Sequence, residues 1–181
     1  MARKNTSVVA GRRRPSPSPA IILSPNQKKA VDRLRRHWEV GNVFVLWAAH
    51  GLGRTTMLRA VHEERGGLVL GMQAYLDRLS HADPMALEET IQAMLVDALE
   101  KSDVVLVDDL HLLNEVLCCS HYYPKKNLLL APLEVACALA TAKKRKLLFT
   151  MPGTAPRPIY ARAHQEGFKR FDPADFRFLF D

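Results

Sequence analysis

Short apolar runs of strand length, each separated from the next by a helical stretch, constrain this chain more than any other feature. Val43–Trp47, Leu68–Gly71, Val104–Val107 and Lys146–Thr150 are too short for core helices and lack the in–out alternation of half-exposed strands. Strands apolar on both faces belong to a parallel sheet covered by helices on each side. A fifth strand is read at Asp175–Phe180, where apolar residues alternate with polar ones. Helices are expected over Gln27–Val40 after the start signal Ser24-Pro25-Asn26, over Arg54–Glu64, around Gln73–Ser80, over Pro84–Glu100 and over Leu128–Ala142. A shorter one is expected at Ile159–Glu166. The expected fold class is therefore α/β: a three-layer αβα sandwich on a parallel five-stranded sheet.

In open parallel sheets, ligands bind where strands end and helices begin. After Val43–Trp47 comes Ala48-Ala49-His50-Gly51-Leu52-Gly53-Arg54-Thr55-Thr56. Set against the phosphate-loop pattern G-x-x-x-x-G-K-[ST], it keeps the second glycine and the hydroxyl, while Ala48 stands for the first glycine and Arg54 for the lysine. Gly51 and Gly53 allow backbone N–H groups to approach phosphate oxygens closely, and a helix beginning near Arg54 adds its positive end. Thr55 is the candidate magnesium ligand. Arg54 keeps the charge but spreads it over a planar fork, which is expected to weaken nucleotide binding and disturb transition-state geometry more. A glycine turn joining strand to helix for structural reasons alone is the competing reading of this segment.

A second element lies roughly fifty residues further on: Asp103-Val104-Val105-Leu106-Val107-Asp108-Asp109, an apolar strand ending in paired carboxylates. Asp108 suits a magnesium-holding role and Asp109 the polarising of an attacking water. An acidic turn after a buried strand is the bland alternative, but the joint occurrence of loop, spacing and carboxylates favours binding of ATP and Mg2+.

With these motifs in place, the chain from about Asn42 onward resembles the AAA+ ATPases, most closely the Clp-type unfoldases. Leu68–Leu76 is similar to the strand after their first helix, and Asp108-Asp109-Leu110-His111 to their strand end D-E-L-H. The resemblance implies that Thr150, on Lys146–Thr150, is a sensor of the γ-phosphate or lytic water. It further implies that Arg170, in Glu166-Gly167-Phe168-Lys169-Arg170-Phe171, is an arginine finger acting on a neighbouring subunit, with Lys169 the residue most easily mistaken for it. A finger in trans implies a ring or head-to-tail assembly. The resemblance departs at Ala48 and Arg54, at Asp109 where the Clp-type pattern has Glu, and at the C-terminus, where the family's helical lid is not found before Asp181. An Asp pair is the form used by the initiator and loader branches. Tyr75 is better read as core packing than as a pore-loop aromatic.

The net charge of +7 is uneven. Residues 1–36 hold ten Lys and Arg against the single acid Asp32, a net charge of +9, which leaves the remainder at −2. With Pro15, Pro17 and Pro19 opposing regular structure, residues 1–25 read as a disordered basic arm ahead of a nucleotide-binding domain over residues 26–181. The arm fits contact with DNA or another polyanion, a solvated tail, or an organellar transit peptide. Cys118, Cys119 and Cys137 are odd in number and match no zinc spacing with His121, which argues against a disulfide framework and fits a cytoplasmic, reducing setting. No apolar run is long enough to span a membrane. Three functions follow: an ATP-hydrolysing domain that remodels a protein or other macromolecule, a DNA-associated initiator or loader module, and a non-catalytic nucleotide-sensing interaction domain.

Overall fold

The computed structural model describes residues 21–112 and 130–180. The arm over residues 1–20, together with Cys118, Cys119 and His121, lies outside them. The described elements are α1 (Pro25–His37), β1 (Val43–Ala48), α2 (Arg54–Arg65), β2 (Leu68–Leu70), α3 (Met72–Leu79), α4 (Leu87–Lys101), β3 (Val104–Val107), α5 (Leu130–Ala142), β4 (Lys146–Met151), α6 (Arg157–Tyr160), β5 (Ala163–Phe168) and α7 (Pro173–Phe180).

The five strands form one sheet in the order β2-β3-β4-β1-β5, and every pairing is parallel. Register is set by pairs such as Val43 with Leu147 and Ala163, and Leu68 with Val105. The pleat divides the strand side chains between two cores. Phe44, Leu46, Ala48, Leu106 and Leu148 pack with Ala30, Val31, Leu34, Met57, Leu58 and Val61 from α1 and α2. Val43, Val45, Val105, Val107, Leu147 and Phe149 pack on the opposite face with Ile91, Leu95 and Leu99 of α4 and with Leu133, Ala136 and Cys137 of α5. The expected three-layer sandwich is the observed architecture.

Helix α1 is fixed at both ends. Ser24 N–H donates to Gln27 Oε1 at 2.9 Å, and Pro25 occupies the first turn, where no N–H is needed. At the other end the Lys146 ammonium donates to the carbonyls of Trp38, the C-cap residue, and of Gly41 in the turn that follows, each at 2.6 Å. Tyr75 is buried, as expected for core packing, and its hydroxyl donates to Leu87 O at 3.3 Å. Cys137 is fully buried, and burial pushes its thiol up to about 12, so it remains protonated at neutral pH.

The C-terminal third corrects the sequence reading. The fifth strand is β5, not Asp175–Phe180, and the helix expected at Ile159–Glu166 is the single turn α6, after which the chain extends. Strand β5 lies at the sheet edge, and its side chains are largely polar. Its polarity is accommodated locally: Arg33 Nε donates to Glu166 Oε2 at 2.6 Å, and His164 stacks on His37. Residues 173–180 are helical because Asp172 and Pro173 start a helix. Asp172 Oδ1 accepts the N–H groups of Ala174 and Asp175 at 2.9 and 3.1 Å. The fully buried Asp175 carboxylate then ties α7 to the start of α1, accepting from Ser24 Oγ at 2.7 Å, Asn26 N–H at 2.8 Å and Asn26 Nδ2 at 2.7 Å.

Candidate functional site

Because all strands run the same way, their C-terminal ends share one edge of the sheet, and the segments following Ala48, Val107, Met151 and Phe168 meet there. At that edge the chain leaves β1 through Ala49 and His50. Leu52 N–H closes a turn on Ala49 O at 3.3 Å. Gly51 and Gly53 hold φ of 80° and 77°, a left-handed conformation costly for other residues. Gly53 also lies against the Gln27 amide, close enough that an added Cβ would strike Gln27 Nε2. That amide donates to Leu52 O at 3.0 Å, so α1 supports the loop from behind. Helix α2 opens directly after Gly53, and its geometry leaves the N–H groups of Arg54, Thr55 and Thr56 without intrahelical acceptors. The result is a ring of donors at a positive helix end, which is what a phosphate needs.

Thr55, in the first turn of α2, donates from its hydroxyl to Asp108 Oδ2 at 2.7 Å. Asp108 is nearly buried at the end of β3. Its other oxygen accepts from the hydroxyl of Thr150, which is fully buried on β4. Strand β4 lies between β1 and β3, so Thr150 fills the gap between the loop strand and the acid strand. Thr150 Oγ1 in turn accepts the N–H of Asp109 at 3.3 Å. Asp109 has a φ of 58°, unusual for a residue with a side chain and tolerated best by Asn and Asp. This hold on its backbone leaves the Asp109 carboxylate 40% exposed at the edge.

The oxygen set fits magnesium. This small hard cation takes one or two protein oxygens and completes its shell with phosphate and water. The Thr55 hydroxyl and the Asp108 carboxylate supply adjacent oxygens beside the loop. Among the described residues, no group of three or more His, Cys, Asp or Glu side chains is placed to hold a metal by itself.

Arg54 departs from what a loop lysine would do. Its guanidinium turns back beneath the loop, donates to Ala48 O at 2.9 Å and lies 3.4 Å from His111 Nε2 and 4.0 Å from Asp109 Oδ1. The side chain is only 10% exposed. The His111 ring meets the His50 ring edge-on, with centroids 5.4 Å apart. The sequence pattern assigns no role to His111 or Gln27. The signals available were a histidine three residues beyond Asp108 and the Ser24-x-x-Gln27 capping pattern. Arg170 is exposed in the bend after β5, at the same sheet edge, and has no ion-pair partner among the described residues. The structure thus brings together the loop, Thr55, Asp108, Asp109 and Thr150, and leaves Arg170 apart on the surface.

A five-stranded parallel sheet between two helical layers, with a glycine loop running from the end of β1 into α2, defines an α/β domain of the P-loop NTPase type. No family model matches the chain, and no curated protein matches it in sequence. Solved structures do resemble it. Domain III of the Thermotoga maritima replication initiation protein DnaA superposes with a TM-score of 0.52 at 14% identity, covering 81% of this chain and 64% of that one. Replication initiator DnaA bound to AMPPCP and single-stranded DNA gives 0.52 at 14% identity, covering 86% and 50%. AMPPCP-bound DnaA from Aquifex aeolicus gives 0.51 at 12% identity, covering 88% and 52%. The chain therefore spans between half and two thirds of the length of these proteins. At such identities the likeness is one of fold.

Proposed function

We propose that this chain is a magnesium-dependent ATP-binding domain of the AAA+ type that hydrolyses ATP and couples nucleotide state to the remodelling of a macromolecule. The observation that carries the reading is the 2.7 Å bond from Thr55 to Asp108, which joins the glycine loop to the acidic strand end across the strand between them. Two motifs far apart in sequence meet at one point of the sheet edge.

In this reading the backbone of residues 48–56 cradles the phosphates, with Thr55 and Asp108 as the cation's protein ligands. A bound magnesium nucleotide would supply an electrophilic terminal phosphoryl group with its charge partly neutralised. Asp109, with its exposed carboxylate, orients and polarises the attacking water. Thr150 is a positioning residue, because its hydroxyl donates to Asp108 and accepts from the Asp109 backbone. Arg170, exposed and unpaired among the described residues, is assigned to the site of an adjacent copy, which makes a head-to-tail assembly or ring the active form.

Of the possible remodelled partners we favour nucleic acid, as for initiator or loader modules. Likeness in fold to DnaA, the Asp108-Asp109 pair and the +9 charge of residues 1–36 support this over a Clp-type protein substrate. Arg54 supports a second reading, a nucleotide sensor that does not turn over, since its guanidinium bonds to the loop's own carbonyl and lies beside Asp109. Magnesium-dependent ATP binding and phosphate release separate the two. The enzyme reading expects Thr55→Ala to abolish magnesium-dependent binding, and Asp109→Asn to retain binding while lowering turnover by about 10²–10⁴-fold. Tight binding with no phosphate release from the unaltered chain would select the sensor.

A further inference from the structure

On the face of the sheet away from α2, a groove of about 310 Å³ opens at the same edge as the glycine loop, lined by Trp47, Gly153, Thr154, Tyr160, Gln165 and Lys169. Its volume is at the lower end of the range of small-molecule sites. Trp47 and Gln165 fall on one face by the pleat, since Val45 pairs with Gln165 and Trp47 with Gly167. The glycine at 167 is what allows Trp47 to lie there: a Cβ at that position would come within 2.8 Å of Trp47 Cδ2 as well as striking the Trp47 carbonyl. The half-buried indole therefore lies over a strand cleared of side chain, and Tyr160, 58% exposed on α6, stands at the rim.

Charge adds direction. Lys169 lines the groove, exposed and without an ion-pair partner among the described residues. The nearby acid Glu166 falls on the other face of β5, where Arg33 holds it. Two aromatic rings, an amide, a hydroxyl and the Lys169 ammonium form a surface complementary to an unpaired base with its phosphate. We propose that this groove binds single-stranded nucleic acid, stacking a base against Trp47 and Tyr160 with the backbone phosphate at Lys169. The site is separate from the glycine loop and does not require the ATP reading to hold.

The test is fluorescence of the full chain carrying Trp38→Phe, which leaves Trp47 as the single indole. Titration with a dodecamer of deoxythymidine is expected to quench Trp47, and Tyr160→Ala and Lys169→Ala are each expected to weaken the affinity read from that quench by about fivefold or more. The same bases in a duplex, at equal phosphate concentration, are expected to quench far less, because paired bases are not free to stack. An absence of quenching, or quenching untouched by both substitutions, overturns the assignment. Thymidine monophosphate quenching as strongly as the strand overturns it too, since the groove would then be a mononucleotide pocket. Thr55→Ala keeps the two readings distinct: it is expected to leave the quench intact whatever happens to ATP binding.

Discussion

Arg54 illustrates how one side chain redirects a loop. A lysine at this position would present a compact ammonium on a flexible stem, whereas the guanidinium here is planar, 10% exposed and bonded back to Ala48 O. Replacement by Lys removes the fork that joins Ala48 to the neighbourhood of Asp109 and His111. Arg54→Lys is therefore expected to tighten ATP binding and to raise the rate of phosphate release by about tenfold, equivalent to ~1.4 kcal/mol of barrier. A Lys variant that releases phosphate more slowly than the parent would contradict this account of the loop. Sequence alone shows which residue replaces the lysine. The direction of the guanidinium is not legible there, because the Ala48 carbonyl, Asp109 and His111 that receive it converge only through the sheet.

Among the elements, α1 and α7 depend on one carboxylate. Burial alone would push the Asp175 carboxyl up, but hydrogen bonds from Asn26, Ser24 and Asp172 outweigh it and hold its pKa below the ordinary value. Stability from a lowered carboxylate pKa is fully present above the unfolded-state value of about 3.9 and is lost as pH falls through the folded value. Asp175→Ala leaves several buried donors without an acceptor, so it is expected to cost about 2–3 kcal/mol at pH 7 in urea denaturation. The gap between variant and parent should narrow once the pH drops below about 4. Equal destabilisation at pH 7 and pH 3 would remove the charge from the explanation. At the opposite end of α1, Lys146→Met is expected to cost about 1–3 kcal/mol, because the Trp38 and Gly41 carbonyls lose a charged donor. A thermal melt superposing on the parent's would contradict that.

These same elements show why parts of the fold were readable and others were not. Strands β1, β3 and β4 are buried on both faces, and burial wrote continuous apolar runs into the sequence. Strand β5 borders the sheet and carries His164, Glu166 and Gly167, whose partners are Phe44, Arg33 and the Trp47 backbone. Nothing local to Ala163–Phe168 encodes those contacts. The alternating Phe residues of α7 suggested a strand, whereas the Asp172-Pro173 start signal was the better guide. The glycine loop and the acid pair were legible because each is contiguous. Thr150 became a candidate through family resemblance, and its bonds to Asp108 and to the Asp109 backbone are visible only in three dimensions.

For the molecule as a whole, the glycine loop is joined through hydrogen bonds to the first and last described helices. Gln27 braces Leu52, and the turn that holds Gln27 is held by Asp175. A ligand on the loop therefore stabilises the domain rather than the loop alone. Magnesium ATP at about 100 times its Kd is expected to add ~2.7 kcal/mol, raising Tm by roughly 5–10 °C for a chain of this size. Scanning calorimetry should show that rise and its loss in Thr55→Ala. No shift at saturating nucleotide would mean that the folded chain does not bind it.

The strand order also dictates when the protein can fold during its own synthesis. Strand β1 is made early, yet its two neighbours are residues 146–151 and 163–168, about a hundred residues later in the chain. Until those segments emerge from the ribosome, the apolar stretch from Val43 to Ala48 has no partners and the glycine loop has no second strand to face. The sheet edge that forms the candidate site is therefore assembled only after residues 146–168 are made, and until then the apolar stretch of β1 is exposed to non-native contacts.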